Sequence, residues 1–179
     1  MIAYAITDPQ YLKENAASYL LSLQKADWVL YRNKGSQNYE KDAIDFLDAS
    51  RNSDFKLLLH QDYKLAAKQW VWGVHLNSMQ LNDIKKAKAL GLFTIMSTHT
   101  LKEALSAQNE GADAVTFSPI FATPNKGEPK GVDALKELVE SCSIKVIALG
   151  GIISSQQLNA ISATGAFGFA SIRYFSTHK

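Results

Sequence analysis

The sequence predicts a closed parallel barrel of eight strand–helix units, the (β/α)8 or TIM-barrel fold of the α/β class. Eight short apolar runs bounded by polar or glycine-rich turns are typical of buried strands, and helical patterns lie between them. No linker interrupts this alternation, so we expect residues 1–179 to form one domain. An open doubly wound sheet is the competing architecture. It is disfavoured because eight strands suit closure and no G-x-G-x-x-G motif follows the first strand.

The elements follow one another regularly along the chain. Strands are predicted at 2–7, 28–32, 56–60, 72–76, 92–97, 114–118, 145–150 and 167–172. Helices, in which apolar residues recur every three or four positions, are predicted at 11–26, 38–50, 62–70, 80–91, 100–112, 132–142 and 154–166. Ser154 and Gln157 form a capping box at the start of the last helix. Gly91, Gly111 and Gly165 follow helical stretches, where a left-handed residue without a Cβ is favoured.

The segment after the last predicted strand, RYFSTHK, is too short for a full eighth helix. We therefore expect a short barrel whose eighth outer helix is missing or truncated. Either a second copy of the chain covers this edge, forming a homodimer, or the natural chain is longer.

The composition favours a cytoplasmic protein that binds a small molecule. The 179 residues are 46% apolar, carry a formal net charge of +2 and include no long basic block, so neither nucleic acid nor a membrane is an expected partner. The N-terminus lacks the basic start of a secretory signal, and no apolar run is long enough to span a membrane. The single Cys142 excludes an internal disulfide and disfavours a thiolate metal site.

Active sites of such barrels lie at the carboxyl ends of the strands. Polar, basic or glycine residues occupy most of these ends: Arg32, Lys34, His60, Gln61, Asn77, Gln80, Ser97, His99, Thr123, Asn125, Lys126, Lys130, Gly150, Gly151, Ile172 and Arg173.

The ends of the seventh and eighth strands are candidates for binding phosphate. Backbone amides around Gly150 and Gly151 can approach an anion closely, the helix that begins near Ser154 adds its dipole, and the Arg173 guanidinium can bind phosphate oxygens. The alternative is that the glycine pair only permits a tight turn.

His99 is the candidate proton carrier. An ordinary histidine pKa of about 6.5 suits proton transfer in both directions near neutral pH. Ser97 lies two residues earlier on the same face of the strand. A hydrogen-bonded structural role is the alternative for His99, and His75, bracketed by apolar residues, is expected in the core.

The stretches YAITD, GVHL, STHT with LKEALSAQNEGADAV, SPIFATPNKGEPKGVDAL and VIALGGI resemble the thiamine-phosphate synthase family. That superfamily includes the TenI-like thiazole tautomerases. The resemblance implies a barrel that binds a thiazole phosphate and, in the synthases, also a pyrimidine diphosphate. It further implies that loop 118–131 lies over the active site, with Thr123, Asn125 and Lys126 contacting the anion or the thiazole.

The sequence departs from the synthase pattern where the resemblance implies a magnesium site. Synthases carry an Asn-Asp pair after the third strand and an Asp after the fourth, whereas this chain has His60, Gln61 and Gln80. Because Mg²⁺ prefers carboxylate oxygens, no metal is expected at Gln61 and Gln80 unless Asp62 or Asp83 substitutes after a shift in register.

Two further positions also differ from the synthase pattern. Leu30 stands where the family has Gln, although Arg32 and Lys34 of that motif remain, and Arg173 replaces a serine.

These departures favour a TenI-like tautomerase slightly over a synthase. Stabilising a diphosphate leaving group requires the metal, whereas moving a proton requires only a phosphate anchor and a proton carrier. The tautomerase would need no cofactor, and a divergent synthase would need Mg²⁺. A third hypothesis is a catalytically silent protein that binds a thiamine precursor.

Overall fold

The computed structural model describes residues 1–14, 16–124 and 126–176, and it confirms the predicted barrel. Eight parallel strands close in sequence order, and the last strand pairs with the first. The strands are β1 (Ile2–Ile6), β2 (Trp28–Tyr31), β3 (Lys56–His60), β4 (Gly73–Leu76), β5 (Phe93–Thr98), β6 (Ala114–Phe117), β7 (Lys145–Leu149) and β8 (Gly168–Ser171).

Helices connect successive strands on the outside of the barrel. In the described residues they are α1 (Pro9–Glu14), α2 (Ala16–Leu23), α3 (Tyr39–Ala49), α4 (Tyr63–Lys68), α5 (Ile84–Ala89, preceded by a 3₁₀ turn at Leu81–Asp83), α6 (Leu101–Asn109), α7 (Gly131–Ser141), α8 (Ser155–Ser162) and α9 (Arg173–Ser176). Several helices begin one residue later in the structure than the sequence predicted. The reason is that their first predicted residues, Asn38, Asp62, Thr100 and Ser154, are N-caps whose side chains accept backbone hydrogen bonds.

The capping residues predicted at the starts and ends of helices are present in the structure. Ser154 and Gln157 make the reciprocal bonds of a capping box. Gly91, Gly111 and Gly165 have φ angles of 78°, 90° and 77°, in the left-handed region that glycine adopts without a Cβ penalty.

The amino-terminal end of the barrel is filled by aromatic side chains. Trp72 and Phe93 stack with ring centroids 4.2 Å apart, and Trp28 lies 5.0 Å from Trp72. The ammonium group of Lys56 lies 4.8 Å from the Trp72 ring centroid, a cation–π distance. Because this end is filled, the carboxyl ends of the strands provide the open face.

Helix α9 occupies the place of an eighth outer helix. Its four residues pack against α2, and Phe175 buries all but 4% of its surface. The expectation of a truncated eighth helix is therefore confirmed, and the homodimer stays a prediction. Across the described residues, no helix is long and apolar enough to cross a membrane.

Candidate active site

Basic side chains converge on the mouth of the barrel at the end of β2. The positive charge of Arg32 lowers the pKa of Lys34, and burial and the charge of Lys126 lower it further. Burial also lowers the pKa of Arg32, which the nearby carboxylate of Asp8 partly offsets. Lys126 belongs to the loop after β6, and its charge acts on Lys34 at the end of β2. The convergence of like charges favours an anionic ligand here.

A cavity of about 670 Å³ opens beside these cations, between the loops that follow β2 and β3. The residues lining it are Asn33, Lys34, Ser36, Tyr39, His60, Gln61, Asp62, Tyr63 and Lys64. Two lysines and one carboxylate face this space, so it is net basic, as a site for an anionic group requires. Lys64 and Tyr39 were not among the residues predicted from the sequence.

His60 forms part of this cavity as a neutral imidazole. Burial, together with the charges of Arg32 and Lys34, lowers the pKa of His60 to about 4. Its backbone amide donates to the Tyr39 hydroxyl at 3.0 Å, and that hydroxyl donates to the Tyr31 carbonyl at 3.1 Å. Tyr39 therefore fixes the end of β3 from the outer layer.

A second cavity, of about 620 Å³, lies under the loop that follows β6. Thr123, Gly151, Gln157 and Arg173 line it together with Phe121, Ala122, Pro124, Gly127, Glu128, Pro129 and Ile153. The structure thus brings three predicted phosphate residues, Thr123, Gly151 and Arg173, around one space. Asn125 lies outside the described residues.

The two glycines at the end of β7 are required by packing as well as by backbone conformation. A Cβ on Gly150 would lie 2.8 Å from the Pro119 Cα, and one on Gly151 would lie 2.6 Å from the Ala122 carbonyl oxygen. Their φ angles are 103° and 70°. The glycines therefore let loop 118–131 lie directly on the end of β7.

Gln157 orders the turn between β7 and α8. Its side-chain oxygen accepts from the amides of Ile153 and Ser154 at 2.8 and 3.1 Å, and its side-chain nitrogen donates to the Gly151 carbonyl at 2.9 Å. The start of α8 is thus capped by its own residues. Within the described chain, the amide of Gly151 makes no hydrogen bond, so this cavity-lining residue has a backbone donor left for an anion.

His99 lies at the end of β5 with an exposed ring. Its Nδ1 is 3.0 Å from the Ser118 carbonyl oxygen, which can only accept, so Nδ1 carries the hydrogen when the ring is neutral. Nε2 is then an unprotonated nitrogen with a lone pair, which is the form that a general base needs. The backbone amide of His99 is fixed by the Glu103 carboxylate at 2.6 Å.

Ser97 contacts a polar cluster inside the barrel. Its Oγ lies 3.0 Å from Nε2 of His75, whose Nδ1 lies 3.0 Å from the Tyr4 hydroxyl. His75 is buried, as the sequence predicted, but its contact with Ser97 was missed. The available signal was the alternation of side chains along each strand, which directs both His75 and Ser97 into the barrel.

The comparisons with known proteins agree with this arrangement. A family model described as thiamine monophosphate synthase matches residues 3–175. The chain belongs to the thiamine monophosphate synthase family.

Relatives in this family are similar along most of their length. A putative thiamine-phosphate synthase 2 of Aquifex aeolicus is 32% identical, covering 96% of each chain. A thiamine-phosphate synthase of Chlorobium phaeobacteroides is 32% identical over 84% of this chain and 76% of its own. The solved structure of a thiamine phosphate pyrophosphorylase from Pyrococcus furiosus superposes with a TM-score of 0.78 at 27% identity, covering 94% of this chain and 84% of that one.

The Mg²⁺ ion associated with synthases of the thiamine monophosphate synthase family does not fit the residues of this chain. Gln80 stands where the family resemblance implies an aspartate after β4, and its side chain already bonds the Asn77 amide, the Gln61 carbonyl and the Asp83 carboxylate. Asp83 also pairs with Lys86 at 2.9 Å, and Asp62 caps α4 through the Leu65 amide. Within the described residues, no three His, Cys, Asp or Glu side chains are grouped to hold a metal.

Proposed function

We propose that this chain is a thiazole tautomerase-like isomerase that binds a thiazole phosphate and moves a proton on the ring without a metal. The observation that carries the proposal is the replacement of the synthase carboxylates at the ends of β3 and β4. Gln61 and Gln80 supply no formal negative charge there, and the neighbouring Asp62 and Asp83 are engaged in a helix cap and an ion pair. Mg²⁺ binds amide oxygens more weakly than carboxylates.

The phosphate is expected in the cavity under loop 118–131. Gly151 provides a backbone donor, and Arg173 and Thr123 provide side-chain groups around the same space. The phosphate would then lie at the ends of β7 and β8, where barrels commonly hold such groups.

A second anionic group of the substrate suits the cations at the end of β2. A thiazole carboxylate phosphate carries such a group on its ring, and Arg32 and Lys34 lie where a carboxylate would relieve their mutual repulsion. The ring would then lie across the mouth of the barrel, above the ends of the strands.

His99 is the proposed proton carrier. In the neutral ring Nε2 accepts a proton from one atom of the non-aromatic thiazole, and the resulting imidazolium returns it to another atom of the same ring. No electron leaves or enters the substrate, and the aromatic product is favoured. The bond from Nδ1 to the Ser118 carbonyl keeps the ring oriented in both protonation states, because Nδ1 is a donor in each.

Two other functions remain as named alternatives. The names of the relatives and the cations Arg32, Lys34 and Lys126 support a divergent thiamine-phosphate synthase that accepts a pyrimidine diphosphate. The lost polar positions support a silent binder of a thiamine precursor.

A coupled assay separates these three functions. The protein is given thiazole phosphate and pyrimidine diphosphate, with Mg²⁺ or with a chelator, and thiamine phosphate is measured. We expect no thiamine phosphate in either condition, together with isomerisation of a thiazole carboxylate phosphate. Formation of thiamine phosphate that depends on Mg²⁺ would establish the synthase, and binding without either product would establish the silent binder.

Variants of His99 test the proton carrier. His99→Asn keeps a donor near the Ser118 carbonyl but cannot take up a proton, and His99→Ala removes both functions. Both variants should lower the turnover number by roughly 100-fold or more, the usual contribution of a general base. Both should keep thiazole phosphate binding, and unchanged turnover in His99→Asn would exclude the assignment.

A further inference from the structure

A buried chain of polar side chains crosses the interior of the barrel below the active site. The Tyr4 hydroxyl lies 3.0 Å from Nδ1 of His75, and the two rings stack with centroids 5.8 Å apart. Nε2 of His75 lies 3.0 Å from Ser97 Oγ and 3.3 Å from Thr116 Oγ1. Tyr4 is 0% exposed and His75 is 2% exposed, whereas Ser97 is partly exposed at the open end.

Both rings in this chain are uncharged. Burial raises the pKa of Tyr4 well above its ordinary value, so the phenol keeps its hydrogen. Burial, with the charges of His60 and Arg32 adding to it, lowers the pKa of His75 to about 3. A neutral imidazole carries one hydrogen and offers one lone pair.

The hydrogen of Tyr4 determines which nitrogen of His75 is protonated. Within the described residues, Nδ1 of His75 is the only hydrogen-bond partner of the Tyr4 hydroxyl. The buried Thr116 hydroxyl competes for the single lone pair of His75 through Nε2, but its contact of 3.3 Å is longer than the 3.0 Å contact of Tyr4. Tyr4 therefore donates to Nδ1. The single hydrogen of the imidazole is then on Nε2, which donates to Ser97 Oγ, with Thr116 as a second and longer acceptor.

We propose that Tyr4 and His75 are positioning residues that make Ser97 a hydrogen-bond donor to the ligand at the mouth of the barrel. Once Ser97 Oγ accepts from Nε2, its own hydrogen is left to donate. No other partner for this hydroxyl exists among the described residues. Ser97 precedes His99 by two residues on the same face of β5, so its hydrogen faces the proposed ligand.

The chemical consequence is a preference for a ligand with an acceptor atom at this point. A phosphate oxygen or an unprotonated ring nitrogen can accept from Ser97, whereas a ring N–H at the same place would meet another hydrogen. This inference rests on the proposed ligand site, and it holds for isomerisation and for transfer alike.

The tautomer of His75 provides a test that needs no ligand. In a long-range ¹H–¹⁵N spectrum of the full chain labelled at histidine nitrogen, we expect His75 to carry its hydrogen on Nε2 and not to titrate between about pH 5 and 8. A hydrogen on Nδ1 in the wild-type protein would overturn the proposal.

Binding measurements test the effect on the ligand. Ser97→Ala should weaken thiazole phosphate binding by roughly 5- to 10-fold, the effect of one hydrogen bond. Tyr4→Phe should weaken it by a smaller factor, because the His75 hydrogen is then divided between both nitrogens. It should have no further effect in the Ser97→Ala background. Independent, multiplicative effects of the two changes would contradict the coupling.

Tyr19→Phe is the matched control for Tyr4→Phe. Tyr19 is equally buried, but its hydroxyl accepts from the Asp8 amide and does not contact His75. This variant should leave both the His75 spectrum and thiazole phosphate binding unchanged. If the wild-type protein binds no thiazole phosphate, the proposed function fails, and the spectrum still decides the tautomer.

Discussion

Replacing Gly151 with alanine should lower the stability of the fold and also disturb the proposed ligand site. Two separate energetic costs, backbone strain and steric overlap, arise at this residue. Its φ angle is 70°, and a left-handed residue other than glycine costs roughly 1–2 kcal/mol. A new Cβ would also lie 2.6 Å from the Ala122 carbonyl oxygen and 2.7 Å from that of Phe121. Real Cβ contacts are not this short, so the backbone of loop 118–131 must move.

Gly91→Ala is the matched control for this change. Gly91 has a φ angle of 78°, but a Cβ there would meet nothing within 4 Å. We expect Gly91→Ala to lower the melting temperature by about 2–8 °C, the equivalent of roughly 1–2 kcal/mol in a chain of this size. Gly151→Ala should cost roughly 1–3 kcal/mol more, as overpacking does.

The two variants should also differ in ligand binding. Gly151→Ala displaces the loop that covers the proposed phosphate cavity, so thiazole phosphate binding should weaken by about tenfold or more, or about 1.4 kcal/mol. Gly91→Ala should bind as the wild type does. Urea unfolding measures the stability of each variant, and titration calorimetry measures its affinity. Equal stability and equal affinity in the two variants would refute the packing of loop 118–131 on the end of β7.

Three further predictions follow from the burial and charge of particular residues. Because His75 and His60 have pKa values of about 3 and about 4 when folded and about 6.5 when unfolded, the unfolded chain binds more protons below pH 6.5. The free energy of unfolding should therefore fall by about 3 kcal/mol between pH 6.5 and 5, and a flat profile in urea titrations would contradict this. Lys34→Gln should weaken binding of inorganic phosphate or diphosphate several-fold, whereas Lys25→Gln, outside both cavities, should not; equal affinities would count against the cation cluster. Trp70 is 94% exposed with a φ angle of 56°, so Trp70→Gly should stabilise the chain by roughly 1 kcal/mol, and a loss of stability would be the opposite result.

The barrel could be predicted from the sequence because its signals are local. Each strand is a short apolar run, and several helices begin at a residue such as Asp62 or Ser154 whose side chain caps the first turn. These features act over a few residues, so they can be recognised without knowing which strands pair. The order of eight strands then leaves closure as the simplest arrangement.

The site could be predicted only in part, because its contacts join distant residues. Periodicity directs His75 inwards, but only the closed barrel shows that its ring joins Tyr4, 71 residues earlier, to Ser97, 22 residues later. Similarly, the sequence suggested that Gly150 and Gly151 bind phosphate, whereas the structure adds that loop 118–131 packs on them.

The hydrogen-bond and ion-pair partners of the acidic residues could not be predicted from the sequence either. Asp62 and Asp83 lie near the positions of the expected metal ligands, and spacing alone left a shift in register open. The structure shows that Asp62 caps α4 and that Asp83 bonds Gln80 and Lys86. These partners are set by side-chain geometry, which a linear pattern does not contain.

The measurement that tests the central claim most directly is proton exchange on the substrate. The wild-type protein is mixed with the non-aromatic tautomer of a thiazole carboxylate phosphate in D₂O with a metal chelator, and the ring is followed by NMR. We predict conversion to the aromatic tautomer at a rate that the chelator does not change, with little conversion by His99→Asn. No conversion, together with Mg²⁺-dependent formation of thiamine phosphate when pyrimidine diphosphate is added, would contradict the claim and establish a synthase.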